Sequence, residues 1–228
     1  MKKTVLKIKC IVLICAMVVC SLPWLKLYAD DTFTSNYMQR EMSEDQGFES
    51  GEANCLCQSG SGYIWIGTNE GLNRYNGFEM KVYKSDKDKK NTIINNYILS
   101  IQEDNEKNLW VGTNKGISKI NLETEEITNY EHDEDGNTFF KVRSILLTKR
   151  GTVLVIIQDN VYMYDREFDK FKVSLSEEDV FSKEDVMDIE EDNFHNIWIG
   201  TDKSLIKMDR GTMKITQYMS HENVETLK

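Results

Sequence analysis

A four-residue word returns along this chain at a spacing that few folds satisfy. Trp65-Ile66-Gly67-Thr68, Trp110-Val111-Gly112-Thr113 and Trp198-Ile199-Gly200-Thr201 set their tryptophans 45 and then 88 residues apart, and 88 is two steps of 44. A worn copy is therefore expected around position 154. Gly151-Thr152-Val153-Leu154-Val155 lies over Gly62-Tyr63-Ile64-Trp65-Ile66 without a gap. The phase extends beyond the word: Leu72, Ile117, Val161 and Leu205 follow each landmark at one distance, and Ala53, Ile98, Val142 and Val186 precede it at another.

One period of about 44 residues holds four short strands with their turns. In the first copy, 53–58, 63–68, 71–76 and 78–84 alternate or cluster apolar residues as strands do. Asn76-Gly77 predicts a two-residue type I′ hairpin between the last two. In the second and fourth copies this turn lengthens (Asn121-Leu122-Glu123-Thr124 and Asp209-Arg210-Gly211-Thr212). Repeats of four antiparallel strands at this period are the blades of a β-propeller. The expected fold is all-β: four blades over 52–228, a partial ring of the kind that seven blades would close. A single blade cannot bury both its faces, so the first and fourth are each expected to leave one face open.

The words from Gly62 to Gly77, Gly-Tyr-Ile-Trp-Ile-Gly-Thr-Asn-Glu-Gly-Leu-Asn-Arg-Tyr-Asn-Gly, resemble the two-component regulator propeller repeat. Gln102-Glu103-Asp104 ahead of Trp110, and Glu191-Asp192 ahead of Trp198, carry the same likeness. The resemblance implies the sensor half of a bacterial hybrid histidine kinase or membrane diguanylate cyclase, with further blades and a cytoplasmic transmitter as its partners in the full receptor. It also departs from the pattern: the third copy lacks the Trp and the Gly-Thr, Ser59 stands where Asp is preferred, and Lys107 and His195 replace a glycine.

The first 29 residues differ from the rest. Lys2, Lys3, Lys7 and Lys9 precede an uncharged run of 16 residues from Cys10 to Leu25, and no acid occurs before Asp30. That layout predicts an export signal cleaved after Ala29, or a membrane anchor, and hence a periplasmic or extracellular location. Residues 30–51, with Phe33, Tyr37, Met38 and Phe48, form a connecting segment able to supply a ring-closing strand. Val224 and Leu227 repeat the spacing that opens each blade and predict the start of a fifth.

Without the leader, 23 basic residues face 38 acidic ones, a net charge of about −15. Such a surface repels phosphate backbones and argues against a nucleic-acid partner. Cys55 and Cys57 are the cysteines outside the leader; side by side on one strand face, they predict packed thiols rather than a disulfide or metal set.

No catalytic constellation emerges. His132, His195 and His221 are scattered, with no nucleophile word beside them. Asp104 and Asp192 precede tight turns, where a carboxylate caps backbone N–H groups. Asp133-Glu134-Asp135-Gly136-Asn137 has the alternating oxygens of a calcium loop but no distal Glu, and reads as a solvated connector. No cofactor or metal is expected. The tryptophans, with Gly67, Thr68, Gly112, Thr113, Gly200 and Thr201, are structural. Candidate binding residues lie in the turns between second and third strands: Asn69 and Glu70, Asn114 and Lys115, Asp159 and Asn160, Asp202 and Lys203. This polar set suits a small hydroxyl-rich molecule, a glycan fragment or a peptide. The functions to weigh are ligand sensing, a protein-interaction scaffold, and a lyase- or glycosidase-type propeller enzyme.

Overall fold

A computed structural model describes residues 52–175, 184–209 and 211–219. They belong to the second of two units in the chain, Met42–Lys228. The leader, residues 30–51 with their ring-closing strand, and Val224 with Leu227 lie outside the described residues.

Among the described residues sixteen strands build four sheets, each a meander in sequence order. Blade 1 is β1 (Ala53–Gln58), β2 (Ile64–Thr68), β3 (Leu72–Tyr75) and β4 (Met80–Tyr83). Blade 2 is β5 (Ile98–Glu103), β6 (Asn108–Thr113), β7 (Gly116–Asn121) and β8 (Ile127–Tyr130). Blade 3 is β9 (Val142–Leu147), β10 (Val153–Ile157), β11 (Asn160–Asp165) and β12 (Lys170–Leu175), and blade 4 is β13 (Val186–Glu191), β14 (Ile197–Thr201), β15 (Ser204–Met208) and β16 (Ile215–Met219). First strands β1, β5, β9 and β13 neighbour one another from blade to blade, as the innermost strands of a propeller must.

The period of two splits each strand between two faces, and in blades 2 and 3 both faces are apolar because each meets another blade. Three core clusters result, one per junction. Trp65, Leu72, Ile98, Leu109 and Val111 fill the space between blades 1 and 2. Trp110, Tyr130, Phe139, Phe171 and Val142 fill that between blades 2 and 3. Among the described residues the core of the third junction has no aromatic ring, with Leu154, Ile156, Val186, Ile199 and Met208 packed together. Leu154 thus occupies the landmark position of the worn copy, as its phase implies.

One turn differs from expectation. Tyr75 pairs with Met80, so the β3–β4 loop has four residues rather than two. Asn76 Oδ1 accepts the N–H groups of both Phe78 and Glu79 at 2.9 Å, and this capped loop outcompetes the I′ hairpin. Only Gly77 of the pair has positive φ, +96°.

The β1–β2 turn of each blade requires a left-handed residue three places before the landmark. Gly62 and Gly151 fill it at φ +88° and +80°, but Lys107 and His195 hold +61° and +67°. A non-glycine side chain there is strained. Lys107→Gly is expected to raise stability by up to about 1 kcal/mol, seen as a higher denaturant midpoint; an unchanged or lower midpoint refutes the strain.

Candidate functional site

The repeated word divides into three physical tasks. Its tryptophan is latched by the β-turn before it: Asp104 Oδ2 accepts the Trp110 indole N–H at 2.8 Å, and Asp192 Oδ2 accepts that of Trp198 at 2.9 Å. The other oxygen of each carboxylate holds the turn, Oδ1 of Asp104 accepting the N–H of Glu106 and Asn108, and Oδ1 of Asp192 those of Phe194 and Asn196. These are the expected carboxylate caps, with an indole clamp that sequence reasoning did not supply. Asp133 makes the same turn, accepting from Asp135 N–H and from both nitrogens of Asn137. The segment that has the oxygens of a calcium loop is thus a structured connector.

Glycine has the second task, clearing space. A Cβ on Gly67 would stand 2.6 Å from Ile98 Cγ2, and one on Gly112 would stand 2.7 Å from Val142 Cγ1, both on the next blade's first strand. Threonine has the third. Thr68, Thr113 and Thr201 each donate Oγ1–H to the carbonyl of Gly71, Gly116 or Ser204 and accept an N–H from Glu70, Lys115 or Lys203. They tie off the turn between second and third strands.

Blade 1 lacks the latch. Ser59 occupies the position of Asp104, and the buried Trp65 indole nitrogen has no hydrogen-bond partner among the described residues. An unmet buried donor costs about 1–3 kcal/mol. Ser59→Asp is therefore expected to stabilise by about 1 kcal/mol, measured as a rise in Tm, and the gain should vanish when Trp65 is replaced by Phe. An equal gain in that background rules out the latch.

Asp192 is held well below the usual carboxylate range. Desolvation pushes its pKa upward but is outweighed by the Asn196 and Trp198 side chains and the turn N–H groups. A depressed folded pKa contributes stability that is complete above the unfolded value near 4 and is lost as pH falls through the folded one. Asp192→Asn should thus lower Tm at pH 7, with the gap to the native chain narrowing below about pH 4; a constant gap would contradict this.

The eight expected binding residues sit at one end of the blades, in or beside the tight turns from second to third strands. The structure gives several of them structural work, between blades for Asp159 and Asn114 and within blade 4 for Asp202. Asp159 Oδ1 accepts Val186 N–H, Asp202 Oδ1 accepts Asp185 N–H, and the Asn114 backbone bonds to Tyr97 and Lys141. None of the eight lines either of the main clefts.

Those clefts open at the opposite end, among turns joining strands one to two and three to four. A cleft of about 380 Å³ is lined by Glu106, Asn108, Lys119, Asn121, Glu126 and Thr128 of blade 2. A second, also about 380 Å³, lies on blade 3 beside Arg150, Thr152, Tyr164 and Arg166. Arg166 stands between the blades, pairing with Glu106 and donating to Gly151 O at 2.9 Å. At the wall of the first cleft Lys119 lies 5.2–5.5 Å from the rings of Trp110, Tyr130 and Tyr164. Its Nζ reaches Tyr164 and Asp169, each at 3.1 Å. Burial pulls the Lys119 pKa down, but these two partners outweigh it and raise it above the ordinary value. Strands β7 and β11 bring this cluster together from residues 45 and 50 apart in sequence, which no local pattern could disclose.

Cys55 and Cys57 are free thiols facing the first junction. Burial pushes Cys55 up to about 12, the state of a packed thiol rather than a reactive one. Among the described residues no group of three or more His, Cys, Asp or Glu could hold a metal.

The geometry of the word, repeated with its latch, its glycine and its knotted turn, agrees with a sequence match. The two-component regulator propeller family model matches residues 47–70 and 92–115. The chain thus carries two-component regulator propeller repeats in these two stretches. No curated protein matches it significantly. Among solved structures it is similar to the extracellular domain of a hybrid two-component system of B. thetaiotaomicron, at TM-score 0.57 and 20% identity over 78% of this chain and 31% of that one. Another such domain from that bacterium gives 0.50 and 20% over 76% and 28%. Virginiamycin B lyase from Staphylococcus aureus gives 0.59 and 13% over 75% and 56%. At these identities the likeness is one of fold. The chain spans about a third of the length of the two extracellular domains.

Proposed function

We propose that this regulator propeller is the ligand-receiving part of an extracytoplasmic receptor, passing a binding event to a transmitter across the membrane. The supporting observation is the repeat family itself, whose structural relatives include extracellular domains of hybrid two-component systems. The basic and apolar leader of residues 1–29 agrees with export. Among the described residues no helix is long and apolar enough to cross a membrane.

The ligand class follows from what the surface offers. Turns bearing Asn69, Asn114 and Asp202, and the polar cleft of Glu106, Asn108 and Thr128 at the other end, present amide, hydroxyl and carboxylate groups on rigid strands. Such groups suit a glycan fragment or a peptide, with an apolar ligand poorly served. Signalling further requires that the ligand favour one of two receptor states.

Catalysis is the second reading, prompted by the likeness to a lyase. It would need an acid and a base converging on one substrate. The charged turn residues Glu70, Lys115, Asp159 and Lys203 are spread one to a blade, and Asp159 is engaged with Val186 N–H. A scaffold role for protein partners would use the same turns.

A calorimetric screen of oligosaccharides and short peptides against the full chain tests the proposal. Saturable binding that is lost in Asn69→Ala/Asp202→Ala or in Glu126→Gln/Thr128→Ala, without chemical change to the ligand, supports it and assigns the end used. Time-dependent conversion of a screened compound would replace it with catalysis, and binding by proteins alone with the scaffold.

A further inference from the structure

One irregularity of register recurs in every blade. The pairing of each innermost strand with its second strand skips a single residue, Asn54, Leu99, Arg143 or Met187. Such a bulge inserts an extra residue and re-aims its side chain. On the strands around the axis, bulges at the same position of four blades set a rung of side chains beside the central channel. Leu99 and Met187 accordingly lie outside all three junction cores.

Three members of the rung have no unmet need. Asn54 Nδ2 donates to Ile98 O of the next blade at 2.9 Å, and Leu99 and Met187 have no side-chain donor. Arg143 is the exception. Its Nε is buried with no acceptor among the described residues, and Nη1 reaches the Met187 sulfur at 3.3 Å, a weak acceptor. The nearby carboxylate is spent elsewhere, since Asp188 Oδ1 accepts Ser144 Oγ–H at 2.8 Å and Ile189 N–H at 2.9 Å. Blade 3 has blades 2 and 4 on its two sides, and a covered Nε offers no surface to anything beyond them. Holding a guanidinium half-buried in this way is costly unless an anion completes it.

The surroundings of Arg143 are apolar. Leu99 and Met187 hold the neighbouring positions of the rung, and Met187 is about half exposed. At the end where β5 and β9 begin, the rings of Tyr97 and Phe140 are 42% and 52% exposed. The Asn114 turn ties their backbones together, its N–H donating to Tyr97 O and its carbonyl accepting Lys141 N–H. Lys141 holds a left-handed φ of +51°, which disfavours a side chain, just after Phe139 turns inward and Phe140 outward. Strain held beside a presented ring points to a use for that ring.

We infer that the axial rung at blade 3 binds the carboxylate of a small organic acid with an apolar body. The Nη1 and Nη2 edge of Arg143 takes both carboxylate oxygens. Because the cationic charge is shared over three nitrogens, this pairing also neutralises the buried Nε. Leu99, Met187, Tyr97 and Phe140 receive the body. The site is separate from the polar turns and clefts proposed for the receptor's ligand, and binding here requires no transmitter.

Calorimetric titration of the full chain with hexanoate and with phenylacetate tests this. Acetate supplies the carboxylate without the body, and hexanamide the body without the charge. Both acids should bind saturably, with acetate and hexanamide each at least about tenfold weaker. Arg143→Leu should abolish binding of hexanoate without lowering Tm, because the guanidinium it removes has no strong partner in the fold. Arg143→Lys keeps the charge but not the fork and should weaken both acids, while Phe140→Ala should weaken phenylacetate. The inference is overturned if neither acid binds saturably, if hexanamide matches hexanoate, or if Arg143→Lys with a native circular dichroism spectrum binds as the native chain does.

Discussion

Trp110→Ala is expected to lower stability by about 3–5 kcal/mol, the largest effect of any single substitution among the repeated words. Trp110 is 1% exposed and touches Tyr130, Tyr164 and Phe171 with ring centroids 4.7–5.9 Å away. Its removal also leaves one oxygen of Asp104, a buried residue, without the indole donor. The same change at Trp198, which shares the latch but faces no further described blade, should cost distinctly less. Urea unfolding of both variants makes the comparison. Equal losses, or a Trp110 variant that keeps its midpoint and loses only ligand binding, would show that the ring serves recognition rather than packing.

Gly112→Val should be the next most damaging change. The backbone of Gly112 is not left-handed, so the penalty is steric. A Cβ would stand 2.2 Å from Ser100 Oγ, 2.7 Å from Val142 Cγ1 and 3.0 Å from Val142 O. Two of these atoms belong to blade 3 and yield only if the blades part, while Ser100 Oγ, on the neighbouring strand of blade 2, must rotate away. Overpacking of this kind costs about 1–3 kcal/mol, and a backbone oxygen among the obstacles places this case toward the upper end. Gly200→Val, with no described neighbour to strike, should stay within about 0.5 kcal/mol in dilute solution. A similar loss at both glycines would mean that the residue is needed for the strand itself.

The sequence disclosed the blades because their signal is periodic and redundant. Each landmark is fixed by many residues in phase, so even the copy with Leu154 and Ile156 could be located. The tasks within the word were less legible. A Trp six residues after an Asp reads as two separate features until the turn folds one over the other, and Ser59 shows its consequence only once the Trp65 nitrogen is found buried. Asn76-Gly77 failed as a two-residue hairpin because the Asn side chain satisfied the backbone of a longer loop, a competition that residue preferences do not rank. The binding turns were chosen for polarity, yet the Asp159 side chain joins blade 3 to blade 4 and the Asp202 side chain ties the entry of its own blade. The clefts at the other end arise from residues of different strands and, at Lys119 with Asp169, of different blades.

Among the described residues every strand pairs only with its neighbours in sequence, and no sheet contains a crossover. For an all-β protein this is an unusually local wiring. Closing a blade joins residues only about thirty positions apart, and each finished blade offers its face as a template for the next. Slow folding in β proteins comes from distant pairings that must be found before they are rewarded. This chain avoids that search, and folding can advance blade by blade as it leaves a ribosome or a translocation pore. Growth by whole blades then becomes as simple for a gene as for the polypeptide: adding 44 codons lengthens the arc without rewiring what is already folded.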